Sequence, residues 1–455
     1  MNSETIKKYN VPVPRYTSYP PANYFEPFSG TYYQEAIEKS NQVSGNSHIS
    51  FYLHIPFCHH LCYYCGCNSY PMMNAGMIEK YVSAMHQEID LLIPLLNPQR
   101  LISQIHYGGG SPTAIPPHFI KELNEHLLSA FRTIESPEIA IECHPGYLSH
   151  QDWQELAACG FNRFSIGVQD LNKRVLETVN RRPPLIPLNE IFFLLRNEGA
   201  SINLDFLYGL PEQTAASFLH TIESAIDLAP DRLVTFSYAH VPWIHKRQLI
   251  LEKTGLPESE EKSRMFSEAA VALHRAGYRS VGLDHFVLPE DELNIALETR
   301  QLHRNFQGYC TRRTTGQVYA VGVTGISQLD TAYAQNGKDI RAYIDAMEHG
   351  MWYICKGYSL NRQEQIVREV IENLMCNYYI DWRQLSEYLS LSIEEVKSAT
   401  AYDENKLKVF SQDGLIDFST DYLAVTSTGS PFVRNVAASL DPLMLHPVHS
   451  FSKPV

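Results

Sequence analysis

The stretch ISFYLHIPFCHHLCYYCGC, Ile49 to Cys67, sets an apolar run against four cysteines held within ten residues. The run is rich in β-branched and aromatic residues and is followed directly by a loop. It therefore reads as a strand delivering that loop at its C-terminal end. The loop carries Cys58, Cys62, Cys65 and Cys67, four of the nine cysteines of the chain. A disulfide framework does not suit an intracellular chain of 455 residues. Structural zinc sites pair two separated cysteine knuckles, and no second cluster exists here. The reading that remains is an iron–sulfur cluster held by thiolates from one compact loop.

Working outward, the strand opens a series. Apolar runs recur at SQIHYGG, EIAIECH, RFSIGVQ, INLDFLYGLP and RLVTFSYAHV, separated by stretches of helical spacing such as NAGMIEKYVSAMHQEIDLLIPLL and PHFIKELNEHLLSAFR. Such alternation predicts parallel strands with crossover helices, some closed by glycine at Gly160, Gly199 and Gly277. About six units predict an α/β fold, a partial (β/α)6 TIM-like barrel with its site on the C-terminal rim of the strands. An open doubly wound sheet is the competing layout. We divide the chain into a meandering N-terminal arm, 1–46, a barrel with an extension, 47–358, and a mainly helical, winged-helix-like C-terminal domain, 359–455. The last is expected to hold three short helices, a hairpin from GLIDFS and YLAVTS, and a helix near Val433.

A net charge of −13 argues against nucleic acid or an anionic membrane as the main partner. The N-terminus lacks the apolar core of a secretory signal. The run IPLNEIFFLLRNEG is broken by Asn189, Glu190 and Arg196 before it could span a bilayer. A cytoplasmic, monomeric protein is expected. The remaining cysteines, Cys143, Cys159, Cys310, Cys355 and Cys376, read as core packing.

IHYGGGSPT, Ile105 to Thr113, has three glycines without a Lys-Ser/Thr pair and so is neither a P-loop nor a dinucleotide fingerprint. Its backbone is free to approach a ligand. Glu142, Gln169, Arg181 and Asp205 fall at or just beyond strand ends, which face one mouth in a barrel. Arg15, Arg181, Arg182 and Arg304 are candidates for pairing with carboxylates, Arg182 reading rather as a solvated surface residue. His54 and His106 read as satisfied core histidines.

The spacing Cys58, Cys62, Cys65 is C-x3-C-x2-C with Tyr64 before the third cysteine, and resembles the radical S-adenosylmethionine (SAM) superfamily. More closely, PRYTSYP at 14–20, FYLHIPFCHHLCYYCGCN, IHYGGGSPT, FSIGVQD, LDFLYGLPEQT, YAHVP, GLDHF and HRNFQGY at 303–309 resemble, in order, the blocks of oxygen-independent coproporphyrinogen III oxidase, also called coproporphyrinogen dehydrogenase.

That resemblance implies a [4Fe–4S] cluster on Cys58, Cys62 and Cys65 with one iron left for SAM. It implies a cluster-bound SAM contacting Tyr52, Gly109, Glu142 and Ile326, and a second SAM contacting Tyr64, Gly110, Ser111, Gln169, Arg181, Asp205 and Ala239. It also implies coproporphyrinogen III as substrate, a low-potential electron donor, an electron acceptor, and decarboxylation of two propionates to vinyl groups through a 5′-deoxyadenosyl radical, giving protoporphyrinogen IX for haem synthesis. Tyr64, Ser111, Cys143, His144 and Pro21 depart from the usual family residues; the last three bear on substrate fit. Cys67 is either a free thiol beside the cluster or a group acting on cluster or substrate. Arg15, Tyr16 and Cys67 are the candidate catalytic residues. The competing functions are a haem chaperone and an anaerobic haem-modifying enzyme; the chaperones resemble this family in the triplet but typically lack the arm and the fourth cysteine.

Overall fold

The computed structural model describes residues 3–42, 48–312 and 317–451. The boundary drawn at 46/47, and the last four residues of the C-terminal tail, lie outside them. Six parallel strands form the framework: β1 (His48–Ile55), β2 (Leu101–Gly109), β3 (Thr133–Cys143), β4 (Arg163–Gln169), β5 (Ser201–Tyr208) and β6 (Arg232–Ser237). They lie side by side in chain order. This monotonic order is that of an arc of a barrel, since a doubly wound sheet reverses at a switch point. Gln317–Val321 adds a parallel strand outside β1, and antiparallel strands continue both edges.

Most of β1 and β2 is buried on both faces, as a helix-covered parallel strand requires. β4 alternates instead: Phe164, Ile166 and Val168 are buried, while Arg163, Ser165, Gly167 and Gln169 are partly open on the other face. The main core fills the space between the sheet and helices such as Ala75–Leu92, Pro117–Ala130 and Ala215–Ile226. Gly160, Gly199 and Gly277 adopt positive φ where helices end.

Four expectations need correction. The arm is not merely meandering: Ser29 caps an eleven-residue helix, Gly30–Ser40, that buries Tyr33, Ala36 and Ile37 against the barrel. In the C-terminal domain four helices stand where three were expected, since SIEEVKSATAYDENKLKVF forms two, Ile393–Ala399 and Glu404–Gln412, because Asp403 supplies a second N-cap. The hairpin there gains a third strand, Tyr379–Asp381. Finally, Cys355 is exposed, although Cys143, Cys159, Cys310 and Cys376 are buried.

The C-terminal domain has its own core, around Val370, Leu374, Trp382 and Val436, into which the arm inserts Tyr9, Tyr16 and Tyr19. Tyr16 and Tyr19 both donate to the buried Asp441 carboxylate, at 2.8 and 3.0 Å. Among the described residues no helix is long and apolar enough to cross a membrane.

Candidate active site at the rim of the parallel strands

The cysteine loop leaves the end of β1 and is held against the glycine loop after β2. Gly110 N–H donates to Ile55 O at 2.8 Å and Ser111 N–H to Phe57 O at 2.9 Å. A Cβ at Gly110 would lie 2.5 Å from Pro56 O and 3.0 Å from Cys58 Sγ; one at Gly108 would meet Glu142 Oε1 at 2.8 Å. The glycines are needed first for this contact between loops, which the ligand-centred reading of the sequence did not anticipate.

Cys58, Cys62 and Cys65 lie within one another's electrostatic reach, and the Ser69 hydroxyl lies against Cys58. Burial and the two neighbouring thiols push Cys58 up to about 12. The Cys65 sulfur is held down to about 6, chiefly by a hydrogen bond from the Cys67 side chain, with help from Arg247 and Arg181. Arg247 Nη1 is buried without a hydrogen-bond partner. Among the described residues no three His, Cys, Asp or Glu side chains are arranged around a single ion. Three thiols sharing one cradle, with cations facing them, fit a cofactor of several irons in which each takes one thiolate.

One side of the mouth gathers Tyr52, Gly109 and Glu142. Tyr52 shares a hydrogen bond with His54 at 3.1 Å, and Glu142 Oε1 lies 3.1 Å from His106 Nε2. His54 also faces Asn68 O at 3.1 Å. Burial lowers its pKa to about 4, so it is a neutral core histidine at ordinary pH. Ile326 packs against Phe25, Tyr333 and Leu360, on a strand separated from that of Tyr52 by Gln317–Val321 alone.

The other side gathers Tyr64, Gln169, Arg181 and Asp205. Arg181 reaches Tyr64 OH at 3.1 Å and Cys62 Sγ at 3.7 Å, and donates to Gly167 O. Gln169 ends β4 at a register shift with φ +70°, a backbone strain of the kind that clusters at functional sites. Asp205 accepts from Ser165 and Asn203 at 2.6 and 2.9 Å, and burial raises it to about 6. Gln248 ties Ala239 O to Tyr64 O. Gly110 and Ser111 sit instead beside the cysteine loop, where the Ser111 hydroxyl is engaged by Thr113 at 3.2 Å.

Arg182 is exposed over the Tyr147 ring, as expected of a surface residue. Sequence reasoning missed Ser69, Arg247, Gln248 and Lys262. None lies in a motif, and only their place in the fold brings them to the rim.

A barrel of this kind, with three thiols on the loop after its first strand, defines the class of proteins that combine an iron–sulfur cluster with SAM. The sequence matches the Radical SAM superfamily over residues 52–225. It is 36% identical to the oxygen-independent coproporphyrinogen III oxidase of Synechocystis over 97% of this chain and 94% of that one. It is 37% identical to the protein of that name from Escherichia coli K12, over 96% and 94%. The solved structure of coproporphyrinogen III oxidase (HemN) from E. coli, a radical SAM enzyme, superposes with a TM-score of 0.84 at 34% identity, covering 97% of this chain and 98% of that one. The chain belongs to the oxygen-independent coproporphyrinogen III oxidase family.

Proposed function

We propose that this protein oxidatively decarboxylates two propionate side chains of coproporphyrinogen III to vinyl groups without oxygen, giving protoporphyrinogen IX. The observation that carries the reading is the Cys58, Cys62, Cys65 cradle at the end of β1 in a chain related over almost its whole length to enzymes of that name. Each conversion removes a hydrogen atom from the propionate β-carbon, breaks the bond to the carboxylate to release carbon dioxide, and passes one further electron to an acceptor. When bound, the cluster and SAM supply the one-electron chemistry that removes the hydrogen atom.

The residues divide the remaining work. Cys58, Cys62 and Cys65 would hold the iron, with Gly110 keeping the backbone close. Tyr52, Gly109, Glu142 and Ile326 would receive one SAM. Tyr64, Gln169, Arg181, Asp205 and Ala239 would line the neighbouring space, for which a second SAM is the occupant we favour. There the Arg181 fork suits a carboxylate and the Asp205 carboxyl suits a hydroxyl or ammonium group. The Tyr16 and Tyr19 bonds to Asp441 fasten the arm to the C-terminal domain. An anaerobic assay with SAM, a low-potential reductant and coproporphyrinogen III tests the reading. Vinyl product together with 5′-deoxyadenosine supports it, and deoxyadenosine without vinyl product overturns it.

A further inference from the structure

Beyond Asp205 the rim carries a second polar group that the radical chemistry does not use. Arg304 lies on the hairpin Leu302–Thr311, directly across from Tyr309. Its guanidinium sits 4.9 Å from the Tyr309 ring centroid, yet its Nε and Nη1 are buried with no hydrogen-bond partner. A guanidinium left with two unpartnered donor nitrogens in a buried position is costly unless a ligand completes it.

The surroundings say what kind of ligand. Arg304 and Arg15 both act on Asp284, and Arg15 also acts on Lys262 and Tyr208, so the three cations share one neighbourhood. Arg15 is exposed, and its segment is held in place by Arg434, which donates to Pro14 O at 3.0 Å and also to Val13 O. Lys262 Nζ donates one hydrogen bond to Tyr238 O at 3.0 Å. It lies across Gly209, where a Cβ would stand 2.5 Å from Lys262 Cε. The carboxylate of the group, Asp284, is engaged by His285 at 2.7 Å. His285 in turn acts on Asp205 and packs edge-on against Tyr309, with ring centroids 5.2 Å apart. Three cations against one carboxylate leave a local positive excess in a chain of net charge −13.

We propose that Arg304, with Arg15 and Lys262, seats a carboxylate of the tetrapyrrole other than the one being decarboxylated, and thereby fixes which propionate is presented to the reactive side of the mouth. This rests on the reading that the substrate is a tetrapyrrole with several propionates. The unpartnered Nη1 hydrogens offer a carboxylate oxygen a charge-assisted hydrogen bond, and Arg15 and Lys262 add positive charge beside it.

The test measures binding apart from turnover. Fluorescence titration with coproporphyrin III and with its tetramethyl ester is run on the wild type, Arg304→Lys and Arg304→Leu, each checked for a native melting curve. Arg304→Leu is expected to weaken the free acid by about tenfold to a hundredfold and to leave the ester unchanged. Arg304→Lys, which keeps the charge and loses the planar guanidinium, falls between. In turnover the loss appears in KM more than in kcat. Equal effects on acid and ester, no effect on either, or equal binding of both by the wild type overturns the inference. If the wild type makes vinyl product while the Arg304 variants bind normally, the inference fails and the decarboxylase reading stands. If carboxylate-dependent binding through Arg304 is found without vinyl product, the decarboxylase reading fails and the seat stands.

Discussion

Gly110→Ala isolates the contact on which the cysteine loop depends. The new Cβ would stand 2.5 Å from Pro56 O and 2.7 Å from Pro56 C, so backbone rather than a side-chain tip has to move. Ordinary contact begins near 3.4 Å, which requires a shift of about 1 Å. The segment cannot swing aside freely, because Gly110 N and Ser111 N bond Ile55 O and Phe57 O on the same loop. Overpacking and weakening of those bonds together cost on the order of 3 kcal/mol. Cys58 follows Pro56 by two residues, so its sulfur moves with the backbone. A displacement of that size in a reacting arrangement lowers turnover by about a hundredfold.

Gly108→Ala is the internal comparison, since its Cβ meets the movable end of the Glu142 side chain at 2.8 Å. The assay is iron content and visible absorbance after anaerobic reconstitution, followed by 5′-deoxyadenosine production. Gly110→Ala should lose iron, whereas Gly108→Ala should keep it and bind SAM more weakly. Wild-type iron and rate in Gly110→Ala would refute the claim that the glycine is there for the cysteine loop.

Further outcomes follow from the same geometry. Cys58→Ala should lose the cluster, whereas Cys67→Ala, which removes the thiol beside Cys65 but keeps the Cys67 N–H bond to the Cys65 sulfur at 3.4 Å, should retain wild-type iron by direct analysis. Arg181→Leu deletes the fork that joins Gly167, Tyr64 and Cys62 and should lower the melting temperature and SAM-dependent turnover together, with Arg181→Lys recovering only part. Tyr16→Phe removes a buried bond to Asp441 and should cost about 1 to 3 kcal/mol in denaturant unfolding, with earlier proteolysis of the arm. Glu88, fully buried among Gly322, Asn336 and Tyr343, is raised from 4.5 to about 7 by desolvation. The native state then keeps a proton that the unfolded chain releases, so stability falls as pH rises from about 4.5 to about 7, by at most about 3 kcal/mol. Glu88→Gln, with Asn336 turning its amide to match, should flatten that slope in melting curves.

The six strands were legible because each is a short β-branched or aromatic run closed by glycine or a polar residue, and the cysteine spacing fixed where the site begins. The helix Gly30–Ser40 was hidden by the proline-rich segment before it, which drew attention from the apolar spacing of Tyr33, Ala36 and Ile37. The break between Ala399 and Glu404 depends on capping by Asp403, a local bond that periodicity does not register. Cys355 was misassigned because burial was inferred from apolar neighbours along the chain, whereas it is the extra residue of a bulge between Ile354 and Lys356, in the last strand but one of the sheet. At the site, residues in compact motifs were found and isolated ones were not. Lys262, on a long helix, and Asp284, in the turn before a short strand, come together with Arg15 only when the arm folds across the rim.

The central claim is tested most directly by supplying reconstituted protein, without oxygen, with SAM, a low-potential reductant and coproporphyrinogen III, and counting vinyl groups formed against 5′-deoxyadenosine released. The account predicts two vinyl groups per tetrapyrrole, deoxyadenosine in matching amount, and loss of both products in Cys58→Ala. Deoxyadenosine without vinyl product, or haem binding with neither product, would contradict it.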